Sequence, residues 1–309
     1  MKHLVAIVGP TGTGKSQLAI RLAQKFHGEI VNADSRQIYR YLDIGTATPG
    51  IKDTSLVPHH LLNIINPDDD FSLSQYQELA YQHIEDILQR GRLPFLAGGS
   101  GQYVWSVLEG WKIPQVPPDP EFRQRLEKKA AIDGAGQLYQ ELLSVDPEAA
   151  RYVDRRNVRR VIRALEVHAK TSIPFSRMRH REAPPFISFI VGLTTDRAEL
   201  YHRLDQRVED MMAQGLVAEV EKLANMGYDF NLPAMSSISY RQIGQYLRGE
   251  LSLAAAVQQI KLETHRYVRR QYNWFSLKDD RIHWFDLRSD PDTEIETALT
   301  EALNSENID

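Results

Sequence analysis

The chain has 309 residues, about two domains' worth of polypeptide at roughly 150 residues each. With 42% hydrophobic, 25% charged and 9% aromatic residues it is not a disordered chain, and the absence of cysteine excludes disulfides, zinc ribbons, iron–sulfur clusters and thiol nucleophiles. A net charge of −4 argues against indiscriminate polyanion binding but leaves room for a local basic face.

His3–Val8 is an apolar, β-branched run, too short for a signal peptide, and reads as a buried strand leading into a glycine-rich turn. From Lys15 to Phe26 the apolar residues Leu18, Leu22 and Phe26, with Ala19 and Ala23 beside them, have helical spacing. Glu29–Ala33 reads as a second strand ending at Asp34. Further strands are expected at Leu61–Ile65, Leu93–Ala97, Phe186–Thr194 and Ile282–Leu287, and helices at Leu73–Arg90, Ala198–Met226 and Leu253–Phe275. Alternating strands and helices predict a mostly parallel sheet with helices on both faces. Between Pro114–Pro118 and Pro184-Pro185 only helical patterns occur, at Glu121–Ile132 and Asn157–Lys170. The expected organisation is therefore an α/β core, residues 1–112 and 186–309, interrupted by an all-helical insertion over 113–185. No apolar stretch approaches the roughly 18 residues of a membrane span, so a cytoplasmic protein with no membrane contact is expected.

Gly9-Pro10-Thr11-Gly12-Thr13-Gly14-Lys15-Ser16 fits the phosphate-binding loop pattern in full, with a strand before it and a helix after it. Glycines let backbone amides turn inward, the helix N-terminus adds positive potential, Lys15 supplies a point charge and the Ser16 hydroxyl suits Mg²⁺. The loop predicts a di- or triphosphate ligand. Asp34 ends the second strand, at the sheet edge that faces the ligand crevice in open α/β folds. A carboxylate there suits a general base or a Mg²⁺ ligand, and a helix cap is the alternative. Gly98-Gly99-Ser100-Gly101 follows another strand and opens onto the same edge. His59-His60 lacks the clustered ligands of a transition-metal site, and Asp68-Asp69-Asp70 reads as a solvated turn.

Two regions are locally basic. From Arg151 to Arg181 there are ten cations, Arg179 among them, against Asp154 and Glu166 alone. Arg156, Arg160 and Arg163 have the spacing of one helix face. Lys261, Arg266, Arg269 and Arg270 are interleaved with His265, Tyr267, Tyr272 and Trp274. Such mixtures suit RNA, whose unstacked bases lie on aromatic and guanidinium planes.

Taken together these segments resemble the tRNA dimethylallyltransferases, also called tRNA isopentenyltransferases. The resemblance rests on Gly9–Ser16, Asp34-Ser35-Arg36-Gln37-Ile38-Tyr39-Arg40, Asp43-Ile44-Gly45-Thr46-Ala47, Pro58-His59-His60-Leu61 and Gly98–Gly101. It continues through Ile162–Val167, Tyr240-Arg241-Gln242, Arg269-Arg270-Gln271 and Trp274. It implies a P-loop NTPase-like core and transfer of a dimethylallyl group from its diphosphate to the N6 amine of the adenosine 3′ of a tRNA anticodon. Mg²⁺ is the implied cofactor, and the anticodon stem-loop and dimethylallyl diphosphate are the implied partners of a monomer. Without cysteine, the cysteine-rich zinc finger of some eukaryotic members is excluded and the bacterial type is implied.

Carried over by position, Asp34 is the implied base, and Ser100 and Arg207 hold the diphosphate with Gly9, Pro10, Thr11, Gly12, Thr13, Gly14, Lys15 and Ser16. Implied tRNA contacts are Asp34, Ser35, Arg36, Gln37, Ser100 and Arg123, then Arg159, Arg160, Val161, Ile162 and Arg163. They continue with Ser236, Ser237, Ile238, Ser239, Tyr240 and Arg241, and with Arg269, Arg270, Gln271, Tyr272, Asn273, Trp274, Phe275 and Ser276. The chain departs from the usual pattern at Ser100 (for Thr), Thr48 (for Lys), Ser239 (for Gly), Asn273 (for Thr) and Gln102 (for a hydrophobic residue). Two rival readings are a P-loop small-molecule kinase, for which a 70-residue basic insertion is large, and a non-catalytic RNA-binding nucleotide switch, which has no need of Asp34 beside the cradle.

Overall fold

A computed structural model describes residues 2–178 and 180–304, so Arg179 of the basic stretch lies outside it. The chain parts into two compact units, Met1–Leu108 with Pro184–Asp309, and Glu109–Ala183.

The first unit runs β1 (His3–Val8), α1 (Lys15–Lys25), β2 (Gly28–Asn32), α2 (Ile51–Leu56), β3 (His59–His60), α3 (Leu73–Gln89), β4 (Leu93–Ala97) and α4 (Gly101–Leu108). The second holds α5 (Pro120–Asp133), α6 (Ala135–Val145) and α7 (Val158–Thr171). The first resumes with β5 (Ile187–Thr194), α8 (Arg197–Ala213), α9 (Leu216–Asn225), α10 (Tyr240–Leu247), α11 (Leu253–Trp274), β6 (Ile282–Asp286) and α12 (Asp292–Asn304). No described helix is long and apolar enough to cross a membrane.

Six strands form one parallel sheet in the order β3-β2-β4-β1-β5-β6. β1 lies between β4 and β5, and Leu4–Val8 are fully buried, as a parallel strand covered on both faces requires. Val5 and Ile7 pack with Ile30, Phe95, Val191 and Leu193 against Leu18 and Leu22 of α1 and Ile295 and Leu299 of α12. Side-chain caps set several helix starts. Ser72 and Gln75 form a capping box at α3, and Asp196 accepts from the Ala198 and Glu199 amides at α8. Ser252 caps α11 through the Ala255 amide.

The helical unit has its own core of Leu126, Leu138, Leu142, Ala149, Val153, Val161, Ile162 and Ala164. Asn157 caps α7 by accepting from the Arg160 amide. Glu166, wholly buried, accepts from the Asp119 amide at 2.7 Å and pairs with Arg123 at 2.7 Å and Arg163 at 2.6 Å. Burial pushes its carboxyl upward, but these donors win and hold it below the usual carboxylate range.

Three expectations are corrected. Leu61–Ile65 is not a strand, because Leu61 and Asn63 have φ of 63° and 52°, in the left-handed region, and the edge strand stops at His60. The helix over Ala198–Met226 is two helices, broken at Gly215, whose φ is 98°. Arg156 is in the turn ahead of α7, paired with Asp154, so it does not share a helix face with Arg160 and Arg163.

Candidate active site

Three loops leave the carboxyl edge of neighbouring strands and meet. The phosphate loop follows β1, the Asp34 turn follows β2 and Gly98–Gly101 follows β4. The strand register continues into them: the Gly98 amide donates to the Ile7 carbonyl at 3.2 Å and the Ser100 amide to the Ala33 carbonyl at 3.2 Å. A Cβ at Gly98 would lie 2.2 Å from the Ala33 carbonyl carbon, so only glycine admits this approach. At Gly9, with φ of 133°, a Cβ would meet the Leu193 carbonyl at 2.4 Å. The fourth wall is α8. Leu200 and Leu204 pack under Gly12, and Arg207, one turn further on the same face, reaches the Thr46 carbonyl at 3.4 Å.

Lys15 lies within the phosphate loop and donates to the Pro10 carbonyl at 2.7 Å. Burial pushes its pKa down to about 7, the Asp34 carboxylate opposes that fall, and the nearby Arg207 adds to it. Arg207 is itself lowered by burial, against the pull of Asp34. Two cations and one carboxylate thus share a desolvated crevice, an arrangement suited to receiving a polyanion. Ser16, in the first turn of α1, is exposed.

Asp34 accepts from the Arg36 amide at 2.9 Å, and its own amide donates to the Asn32 side chain at 3.0 Å. The Ser100 hydroxyl accepts from the Ser35 amide at 2.9 Å and lies 3.1 Å from the Ser35 hydroxyl. For Tyr267 of α11, named above only among the aromatics of its helix, burial together with Asp34 pushes the phenol above its ordinary value. Tyr103 of α4 stacks on Tyr76 at 3.6 Å and is likewise raised, first by burial. Both phenols feel the charge of Asp34, a link hidden in sequence because the rings come from separate helices.

The Asp43–Ala47 loop closes around a residue that sequence reasoning missed. The Glu219 carboxylate accepts from the amides of Asp43, Ile44 and Gly45 at 3.1, 2.8 and 3.2 Å, and from the Tyr240 hydroxyl at 2.5 Å. Gln37 donates to the Thr46 and Ala47 carbonyls at 3.2 and 3.1 Å. Nothing in the local pattern of α9 marks Glu219 for this task.

The residues expected along an RNA divide by burial. Arg159, Arg160, Ser236, Arg241, Arg269, Arg270, Asn273, Trp274 and Ser276 are exposed, and Ile238 and Tyr272 are half-buried. Val161, Ile162, Gln37, Ser237, Ser239, Tyr240, Gln271 and Phe275 are buried, so their side chains do not present an RNA-facing surface. Arg36 donates to the Pro233 carbonyl at 2.8 Å. Arg123 and Arg163 turn to Glu166, and Arg163 also donates to the Val116 carbonyl at 2.9 Å. His60 pairs with the buried Glu29 at 2.8 Å, and no group of three or more potential ligands suits a metal among the described residues.

Known proteins resemble this chain in sequence and fold. The model of the IPP transferase family matches residues 37–278, and that of the isopentenyl transferases matches residues 2–56. The chain is 48% identical over 292 residues to a tRNA dimethylallyltransferase of Dehalococcoides mccartyi, covering 94% of this chain and 90% of that one. Against the tRNA dimethylallyltransferase of a Roseiflexus species it is 50% identical over 275 residues, 89% of this chain and 90% of the relative. Among solved structures, the tRNA isopentenylpyrophosphate transferase of Bacillus halodurans superposes with a TM-score of 0.74 at 36% identity, covering 99% and 98% of the two chains. A eukaryotic dimethylallyltransferase acting on tRNA gives a TM-score of 0.84 at 25% identity, over 99% of this chain and 80% of the other. The chain therefore belongs to the IPP transferase family, in the company of the tRNA dimethylallyltransferases.

Proposed function

We propose that the protein transfers a dimethylallyl group from dimethylallyl diphosphate to the exocyclic N6 amine of the adenosine 3′ of a tRNA anticodon, releasing diphosphate. The observation that carries this reading is the meeting of Lys15 and Arg207 with Asp34 in one desolvated crevice. A phosphate cradle alone serves many reactions. A carboxylate within the electrostatic reach of its cations serves one in which a proton leaves an acceptor as a diphosphate departs.

In this reading the allylic C–O bond breaks and its electron pair stays on the diphosphate, where the loop amides, Lys15 and Arg207 take up the charge. The adenine nitrogen forms the new C–N bond, and Asp34 accepts the proton it releases. Tyr103 and Tyr267 offer flat apolar surface to the prenyl chain and the purine. The adenine must leave its stack to enter the crevice, and the exposed cations Arg269 and Arg270 of α11 provide contacts for the surrounding stem. The donor set also fits Mg²⁺, a hard cation that prefers oxygen ligands. The exposed Ser16 hydroxyl would hold it together with diphosphate oxygens, and the ion would supply further charge neutralisation on the leaving group.

The test is incubation with unmodified tRNA and labelled dimethylallyl diphosphate. Label should appear on the adenosine 3′ of the anticodon, with one diphosphate released per transfer. Phosphorylation of a small acceptor from ATP, without prenyl transfer, would overturn the reading in favour of a kinase.

A further inference from the structure

Gln271 falls in a basic and aromatic stretch that suggests RNA contact, yet it is 2% exposed and points the other way. Its amide oxygen accepts from the Thr11 amide of the phosphate loop at 2.8 Å, and its amide nitrogen donates to the Gly99 carbonyl at 2.9 Å. One buried side chain thus joins the loop after β1 to the loop after β4. The fit is specific on both sides: a Cβ at Gly99 would stand 2.4 Å from the Gln271 nitrogen, so the contact requires glycine there.

The rest of this helix face meets the same loops. Trp274, one turn later, packs so closely on Gly101 that a Cβ there would lie 2.2 Å from its ring. Ser100 in turn holds the Ser35 amide, next to Asp34. The neighbouring positions Arg269, Arg270 and Asn273 are exposed.

We infer that Gln271 is a positioning residue for the donor: it holds the phosphate loop at a set distance from the Gly98–Gly101 loop, and so from Asp34. This inference rests on the prenyl-transfer reading. The Gly99 carbonyl is buried and the Thr11 amide half-buried, on loops that follow different strands, so removing the Gln271 amide takes a hydrogen-bond partner from both loops at once. Without the clamp the two loops separate, the cradle loosens around the diphosphate, and the donor's reacting carbon moves off line from the acceptor.

The experiment compares wild type with Gln271→Met and Gln271→Glu. Methionine keeps the volume and loses both hydrogen bonds, whereas glutamate keeps only the acceptor for Thr11. Calorimetry with inorganic pyrophosphate reads the cradle alone. Steady-state transfer reads KM for each substrate, and thermal melting reads folding. The expected result for Gln271→Met is a loss of about tenfold or more in pyrophosphate affinity and a matching rise in the donor KM. The tRNA KM should stay within about twofold, and Gln271→Glu should lose donor affinity as well, because it presents a carboxylate to the Gly99 carbonyl. A Gln271→Met protein with wild-type donor affinity shows a packing role only and overturns the inference. A rise confined to the tRNA KM overturns it too, and returns Gln271 to the RNA surface. If Gln271→Met melts too low to assay, Gln271→Glu decides alone: wild-type pyrophosphate affinity in that variant overturns the inference. A wild-type protein that neither binds pyrophosphate nor transfers the prenyl group overturns the functional reading instead.

Discussion

At the scale of single residues, the proposed reaction asks the crevice to keep the grip on the donor apart from the acceptance of a proton. Lys15 and Arg207 are cations lowered by burial whose charge would serve the diphosphate in the proposed reaction, whereas Asp34 is held by a backbone amide and kept away from direct ion pairing among the described contacts. A carboxylate locked into a salt bridge with an arginine is a poor base, because the partner already stabilises its charge. Asp34→Asn removes the proton acceptor with almost no change of shape. Single-turnover transfer should fall by about 10²–10⁴-fold. Affinity for tRNA should stay within a few-fold, since in the proposed reading the grip on RNA is spread over exposed cations elsewhere. Near wild-type transfer would show that Asp34 is not the base. An equal loss of tRNA binding would make it an adenine-positioning group and leave the proton to another acceptor.

At the scale of elements, the helix α10 begins under strain. Ser239, standing where glycine is usual, has φ of 82° and ψ of −58°, and is buried. Its amide donates to the Gln242 side chain at 3.0 Å, which fixes the helix start in that conformation. An L-residue held there costs on the order of 1 kcal/mol. Ser239→Gly should therefore raise stability by up to about 1 kcal/mol, read as a higher urea midpoint with an unchanged slope. A lower midpoint would mean that the serine side chain contributes more than its backbone strain costs. Elements of this kind also show how far sequence patterns reach. The strands at β1, β4 and β5 were legible because a buried parallel strand is an unbroken apolar run, and α1, α3 and α11 because their apolar spacing is long and regular. The break between α8 and α9 depends on one glycine inside a pattern that continues through it. The irregular chain at Leu61–Ile65 depends on left-handed turns in residues that seldom adopt them. The site was legible where chemistry is carried by a contiguous motif, as in Gly9–Ser16. It was not where one side chain bonds distant backbone, as with Gln271 and Glu219: spacing along a helix reports which face is buried but not which loop it meets.

At the scale of the whole molecule, the arginines in the basic stretch of an acidic chain are not equivalent. Within the helical unit, Arg163 is committed to folding. It shares the buried Glu166 with Arg123 and supplies a donor to the Val116 carbonyl, while Arg159 stands exposed on the same helix. The two arginines should therefore fail differently. Arg163→Gln leaves Glu166 short of a cation in a dry site, which should destabilise this unit by about 2 kcal/mol. Arg159→Gln should leave the melting behaviour unchanged. If the exposed cations meet RNA phosphates, it should lower tRNA affinity a few-fold and reduce the slope of log affinity against log salt by about one, because one fewer counterion is released. Denaturation curves and tRNA binding across a range of salt concentrations measure both. A wild-type salt slope in Arg159→Gln would mean that this face is merely solvated. A normal melting curve together with a reduced slope in Arg163→Gln would reverse the assignment, placing that guanidinium on the RNA and leaving Arg123 alone sufficient for Glu166.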